Sequence, residues 1–143
     1  MPKKAATARK VLDSWAILSW LKGAPHAADR VRHLLEDSEK GRIELLMSII
    51  NVGEVFYILA KNVSAKDAED FLRDFKKMPI RSMAVPKVLV LGAARLKAKY
   101  PISSADAIAA ETANRADAPL VTGDPDFKPF IGGTVVQVEW IGS

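Results

Sequence analysis

The chain has 143 residues, 49% of them hydrophobic and 27% charged, which suits one globular domain with its own apolar core. It contains no cysteine, so disulfides, thiol catalysis and thiolate-built zinc sites are excluded. The net charge of +4 is matched by Lys3, Lys4, Arg9 and Lys10 alone, leaving residues 11–143 balanced. A polyanionic partner would therefore meet a local basic patch rather than a uniformly basic surface.

The N-terminal segment lacks the apolar run of a secretory signal, and no stretch approaches the roughly 20 apolar residues needed to span a bilayer. The chain is thus expected to be cytoplasmic and free of membrane. No repeat, low-complexity tract or linker divides it. Residues 1–8 read as a basic, solvated leader and residues 9–143 as one domain.

Residues 10–13 form a short, mostly apolar run of strand type. Ile17, Leu18 and Leu21 then recur at helical spacing as far as Gly23. After Pro25, a second helix puts Ala28, Val31, Leu34 and Leu35 on one face and ends at Gly41. Residues 43–50 have the apolarity of a buried strand. Asn51-Val-Gly-Glu54 has the pattern of a helix start, with Val55, Ile58 and Leu59 continuing its inner face. Ser64 caps the next helix, whose stripe is Ala68, Phe71, Leu72, Phe75 and Met78. Residues 80–85 are extended, and residues 88–100 are helical up to Pro101. Ser103 or Ser104 caps a helix over 105–116. Residues 120–122 and 135–140 are strands. Strands separated by helical crossovers give the α/β class, a parallel sheet with helices on both faces.

Four acids fall at the boundaries of these elements. Asp13 ends the first strand, and Glu54 lies on the first turn of the helix after the second. Asp106 lies on the first turn of the helix capped by Ser103 or Ser104, and Asp124 follows the strand 120–122. In an open parallel sheet the C-terminal strand ends share one edge, where ligand sites form. That edge would gather Asp13, Glu54 and Asp124, with Asp106 joining if its helix enters from the same side. Each acid also has a local explanation. Asp13 can cap a helix, and Glu54 stands at capping-box spacing from Asn51. Asp106 suits a helix dipole, while Asp124 and Asp126 suit a turn.

Four like charges on one rim repel unless protons or a cation intervene. An all-carboxylate set fits Mg²⁺ or Mn²⁺, hard ions that take oxygen ligands. Such an ion activates water for attack on a phosphodiester. Asp13, Asp106 and Asp124 are the expected ligands, with Asp126 a secondary one. Glu54 would bind through water or accept the water's proton. Thr122 and Ser104 are candidates to orient a carboxylate, or to serve packing and capping. His26 and His33 fall in the second helix and receive no role.

Val11-Leu-Asp13-Ser14, Asn51-Val-Gly-Glu54-Val55, Ser104-Ala-Asp106-Ala-Ile108-Ala-Ala110 and Val121-Thr-Gly-Asp124-Pro-Asp-Phe127 stand in an order and spacing that resembles the PIN-domain nucleases. The resemblance is strongest to the toxin subunits of VapBC toxin–antitoxin systems, and it covers nearly the whole chain. It implies a five-stranded sheet ordered 3-2-1-4-5, Mg²⁺- or Mn²⁺-dependent RNA cleavage, homodimerisation, and an antitoxin that inserts into the active-site groove. Two features depart from it: the leader is long, and Trp15 follows Ser14. Trp15 and Trp20 suit a buried stripe or a partner surface. Lys22, Arg95, Lys97 and Lys99 are candidates for RNA-backbone contact, or form a solvated face.

Rival classes fit less well. A haloacid-dehalogenase-like phosphatase needs an aspartate two residues after its nucleophile, where this chain has Trp15. A phosphoacceptor receiver needs an acidic pair, and Ser14 follows Asp13. A non-catalytic module on the same fold, or a housekeeping RNA-processing nuclease, remains as the alternative function.

Overall fold

In the computed structural model, which describes residues 7–143, Val11 and Leu12 are adjacent and both completely buried. Successive strand residues point to opposite faces, so burial of both requires cover on both sides of the sheet. Strand β1 (Ala8–Leu12) occupies the middle of that sheet. It pairs in parallel with β2 (Ile43–Ser48) on one side and β4 (Leu120–Thr122) on the other. Strands β3 (Ile80–Met83) and β5 (Val138–Trp140) form the edges, also parallel, giving the order β3-β2-β1-β4-β5. This is the α/β sheet and the strand order expected above.

The alternation sorts the core into two layers. Val11, Leu46 and Leu120 face one cluster, shared with α5 (Lys87–Lys99), α6 (Ser104–Arg115) and a 3-10 helix (Pro125–Phe130). Leu12, Leu45, Met47 and Val121 face the other. That second layer is built from α1 (Ser14–Lys22), α2 (Ala27–Glu39), α3 (Ile49–Asn62) and α4 (Ala65–Phe75). Ala107, Ala109, Ala110 and Ala113 are all buried on α6, and their small side chains let that helix lie close against its neighbours.

Several boundaries differ from the sequence expectation for physical reasons. The apolar run 43–50 is not one strand: Ile49 and Ile50 open α3 and are about half exposed. Apolarity alone cannot separate a buried strand from a helix start. The cap of α3 is accordingly Ser48, whose hydroxyl accepts from the amide of Asn51. Glu54 is therefore on the second turn, and the capping-box explanation of it fails. Ser103 caps α6, which leaves Ser104 as an exposed first helical residue. Strand β5 begins at Val138, three residues later than expected.

The basic N-terminal group also divides. Residues 1–6 of the expected leader lie outside the described residues, while Ala8 already belongs to β1. Arg9 and Lys10 belong to that strand too: Arg9 pairs with Glu44 at 3.5 Å and Lys10 with Glu139 at 2.6 Å. Among the described residues no helix is long and apolar enough to cross a membrane.

Candidate active site

The strand order reverses at β1, since β2 and β3 are added on one side and β4 and β5 on the other. The crevice at such a switch point opens at the C-terminal ends of the strands. Asp13 stands there at the end of β1. It is buried and caps α1, its Oδ1 accepting the amide of Ala16 at 2.9 Å. Its Oδ2 accepts the hydroxyl of Thr122, at the end of β4, at 2.5 Å. Each carboxylate oxygen can accept more than one bond, so neither oxygen is saturated by its one donor.

Thr122 also receives the amide of Asp124 on its Oγ1 at 3.1 Å. Asp124 opens the 3-10 helix, and its Oδ1 accepts the amide of Asp126 at 2.9 Å. The glycine between Thr122 and Asp124 has a steric cause. A Cβ on Gly123 would lie 2.3 Å from the ring of Trp15 and 2.8 Å from the Cα of Gly142. Trp15 is thus a packing residue, seated against the turn that presents Asp124. Trp20 likewise packs on the core beneath α1.

Asp106 completes the rim. Ser103 caps α6 through the amide of Asp106, and the acid itself is buried. Carboxylate oxygens of Asp106, Asp124 and Asp126 lie within 4.8 Å of one another. Asp126, a secondary candidate in the sequence, therefore belongs to the tightest acidic group, while Asp13 and Glu54 stand beside it. Glu54 reaches the rim from α3, where Ser14 Oγ donates to its Oε1 at 2.5 Å.

Burial and crowding oppose ionisation here. Burial above all pushes Asp13 up to about 7. Its bonds from Thr122 and Ala16 work against the rise, and the charges of Asp106 and Asp124 add to it. Asp106 is pushed up to about 6, first by burial and then by the charge of Asp124. The Ser103 hydroxyl opposes the rise, and Glu54 and Asp126 reinforce it. Among the described residues no lysine, arginine or histidine forms an ion pair with any of these five acids. The donors are all oxygen, which suits a hard divalent cation and not a soft or imidazole-preferring one.

His26 immediately precedes α2 and His33 lies on it, and both are exposed. Lys22 ends α1, nine residues from Asp13, and lines a cleft with Asp67, Asp70 and Asp74. At about 1.5 Å per residue the helix carries it away from the acids, and its nearest acidic neighbours are on α4. Lys97 and Lys99 end α5, which runs antiparallel to α6: Arg115 reaches the carbonyl of Val88 and Lys97 that of Ile102. Both lysines therefore lie at the end of α6 that bears Asp106. Arg95 lies one turn earlier and is exposed. An open cleft of about 510 Å³ adjoins Glu54, lined by Ile50, Gly53, Tyr57, Ser103, Ser104 and Ala105. A cleft of about 540 Å³ between α3, α4 and β3 is lined by none of the five rim acids.

The family model of the PIN domain matches residues 10–130. The chain belongs to the PIN domain family. By sequence, no curated protein matches it. Solved structures match by fold. DNA-bound VapBC from Salmonella typhimurium aligns with a TM-score of 0.69 at 14% identity, over 93% of this chain and 98% of that one. A toxin–antitoxin complex from Klebsiella pneumoniae gives 0.62 at 18% identity, over 90% and 99%. VapC20 of Mycobacterium tuberculosis, described as a sarcin–ricin loop-cleaving toxin, gives 0.63 at 16% identity, over 90% and 98%. At these identities the likeness concerns the fold.

Two features escaped the sequence reading. Asn51, read as a cap, is a buried residue of α3, 1% exposed. Ser14, read only as part of a motif, grips Glu54. Ser48, Asn51 and Glu54 stand three residues apart and so share a helix face. That pattern becomes legible once the strand is ended before Ser48.

Proposed function

We propose that this PIN-domain protein is a Mg²⁺- or Mn²⁺-dependent endoribonuclease and the toxin of a type II toxin–antitoxin pair. The carrying observation is the acidic centre: three carboxylates within 4.8 Å of one another, with buried Asp13 beside them. Asp106, Asp124 and Asp126 would hold the ion together with Asp13. The ion, when bound, would lower the pKa of a water and neutralise charge on the phosphoryl group.

The chain's own residues do the remaining work. Thr122 and the Ala16 amide fix Asp13 so that both its oxygens face known donors. Glu54, held through Oε1, is the group that takes the proton of the attacking water. Lys97 and Lys99, on the same end of the α5–α6 pair as Asp106, meet the RNA backbone; such contacts position substrate without reading its sequence. The fold likeness to a sarcin–ricin loop-cleaving toxin supports RNA as the substrate class. The likeness to a toxin–antitoxin complex supports an antitoxin partner, and homodimerisation and a cytoplasmic place belong to the same reading.

The test is RNA cleavage by the purified chain with Mg²⁺ or Mn²⁺, against EDTA and against Asp13→Asn. Cleavage that needs the ion and disappears in the variant supports the proposal. A wild-type chain that binds Mn²⁺ in calorimetry yet leaves structured and single-stranded RNA intact would sink it.

A further inference from the structure

Asn51 is the most buried uncharged polar side chain of α3, and burying an amide is costly unless its groups are bonded. Its Oδ1 accepts the hydroxyl of Ser48 at 2.6 Å. Its Nδ2 donates to the carbonyl of Ala105, 54 residues away, at 3.2 Å, and lies 3.5 Å from Glu54 Oε1. The carbonyl of Ala105 can only accept, which sets the orientation of the amide. A residue serving only the start of α3 would need nothing from α6. Asn51 instead spans from the end of β2 to the residue preceding Asp106.

Ser14 does the matching task from the other side. It follows Asp13, opens α1, and donates to the same Glu54 Oε1 at 2.5 Å. Ser14, the neighbour of Asp13, and Asn51, bonded to the neighbour of Asp106, thus converge on the third acid. Both donors fall on Oε1, and among the described residues none falls on Oε2. The distances divide the labour: Ser14 grips the carboxylate directly, whereas the 3.5 Å contact of Asn51 is long and its firm bonds are to Ser48 and Ala105.

We propose that Asn51 and Ser14 are positioning residues that fix the Glu54 carboxylate against Asp13 and Asp106, Asn51 by locking α3 to α6 and Ser14 by holding Oε1. The inference rests on the nuclease reading for its effect on rate, though the positioning itself does not. Ser14→Ala and Asn51→Ala are each expected to lower kcat about tenfold, with KM for RNA and Mn²⁺ affinity within twofold of wild type, since loss of one charge-assisted bond is of that order. Ser14→Thr, which keeps the hydroxyl, restores the rate. In a Glu54→Gln background neither substitution lowers the rate further, because both act through Glu54. Losses that add in that background, or wild-type kcat in both single variants, overturn the proposal.

Crystal structures of the metal-free protein give a second readout that needs no activity. Glu54 should take one conformer in wild type and several in Ser14→Ala/Asn51→Ala. An unmoved Glu54 in that double variant also overturns the proposal. Should wild type fail to cleave RNA, the nuclease reading falls while this measurement still decides the positioning. Ser14→Ala serves alone if Asn51→Ala does not fold.

Discussion

Thr122 donates its hydroxyl to Oδ2 of Asp13 across 2.5 Å, joining the ends of β1 and β4 between residues 109 apart in the chain. A donor aimed at a buried carboxylate favours its ionised form. Thr122→Val keeps the shape of the side chain but removes this donor and the acceptor for the Asp124 amide. The variant should lose about 1–3 kcal/mol of stability, the usual cost of orphaning a buried polar group. Asp13 should then titrate still higher, so the acid limb of the pH–rate profile moves to higher pH. Thr122→Ser should show neither effect. Equal profiles for Val and wild type would separate Thr122 from Asp13.

The elevated Asp13 has a consequence for stability. Its carboxyl titrates near 3.8 when unfolded and near 7 when folded, so between those values the unfolded state binds fewer protons. Stability of the metal-free protein therefore falls as pH rises from about 4 to about 7, and the full cost is present above 7. Asp13→Asn removes that cost, and an asparagine still caps α1 through the Ala16 amide. In EDTA at pH 8 the variant should be more stable than wild type in urea unfolding by up to about 4 kcal/mol, at about 1.4 kcal/mol for each unit of the rise, with the gap closing below pH 5. A variant less stable than wild type at pH 8 would contradict this account of the site.

Binding of Mn²⁺ should carry the same signature in reverse. The ion must displace protons from Asp13 and Asp106, which titrate near 7 and near 6, so affinity weakens as pH falls through that window. A saturating ion stabilises the fold by about 2.7 kcal/mol at a hundred times its Kd, a rise of several degrees in Tm for a domain of this size. The rise should be clear at pH 8, small at pH 5.5, and abolished by EDTA. A rise equal at both pH values would place the ion away from these acids.

Much of this site was legible in the sequence because strand ends and helix starts leave local marks. Leu120 and Val121 are an apolar pair, Thr122-Gly-Asp124 a turn, and their buried strand followed directly. Where Asp106 meets Asp124 was not legible, since it depends on α6 entering from the same edge across the sheet. Ile49 and Ile50 are not legible as helical, because exposed apolar residues at a helix start look like the end of a buried strand. The apolar run therefore points to a cap at Asn51 where the structure has Ser48, and the bond from Asn51 to Ala105 is one that local pattern cannot reveal. The ion pairs of Arg9 and Lys10 were not legible, because their partners, Glu44 and Glu139, lie far along the chain.

Two glycines should respond oppositely to alanine. At Gly123 a Cβ meets the Trp15 ring at 2.3 Å and the Gly142 backbone at 2.8 Å. Gly123→Ala should cost about 1–3 kcal/mol, as overpacking does, and lower the cleavage rate at least tenfold by shifting Asp124. At Gly53, inside α3, a Cβ meets nothing within 4 Å. Gly53→Ala should raise stability by about 0.5–1 kcal/mol, since glycine is a poor helix former. Thermal melts of both variants check the pair, and destabilisation by Gly53→Ala would mean that the α3 surface beside Glu54 is not open.

Asp126 distinguishes two possible ion positions. Its backbone amide is tied to Asp124 Oδ1, which brings the two side chains onto one short turn. With Asp106 they make the closest trio of carboxylates on the rim, and Asp126 is the exposed member, with nothing packed upon it to lose. Asp126→Ala should therefore leave Tm in EDTA unchanged while weakening Mn²⁺ binding about tenfold or more in calorimetry. Asp124→Ala should weaken it at least as much and also loosen the 3-10 helix that it caps. If Asp126→Ala binds Mn²⁺ as wild type does while Asp13→Asn does not bind it, the ion lies on the Asp13 side of the rim and Asp126 only shapes the turn.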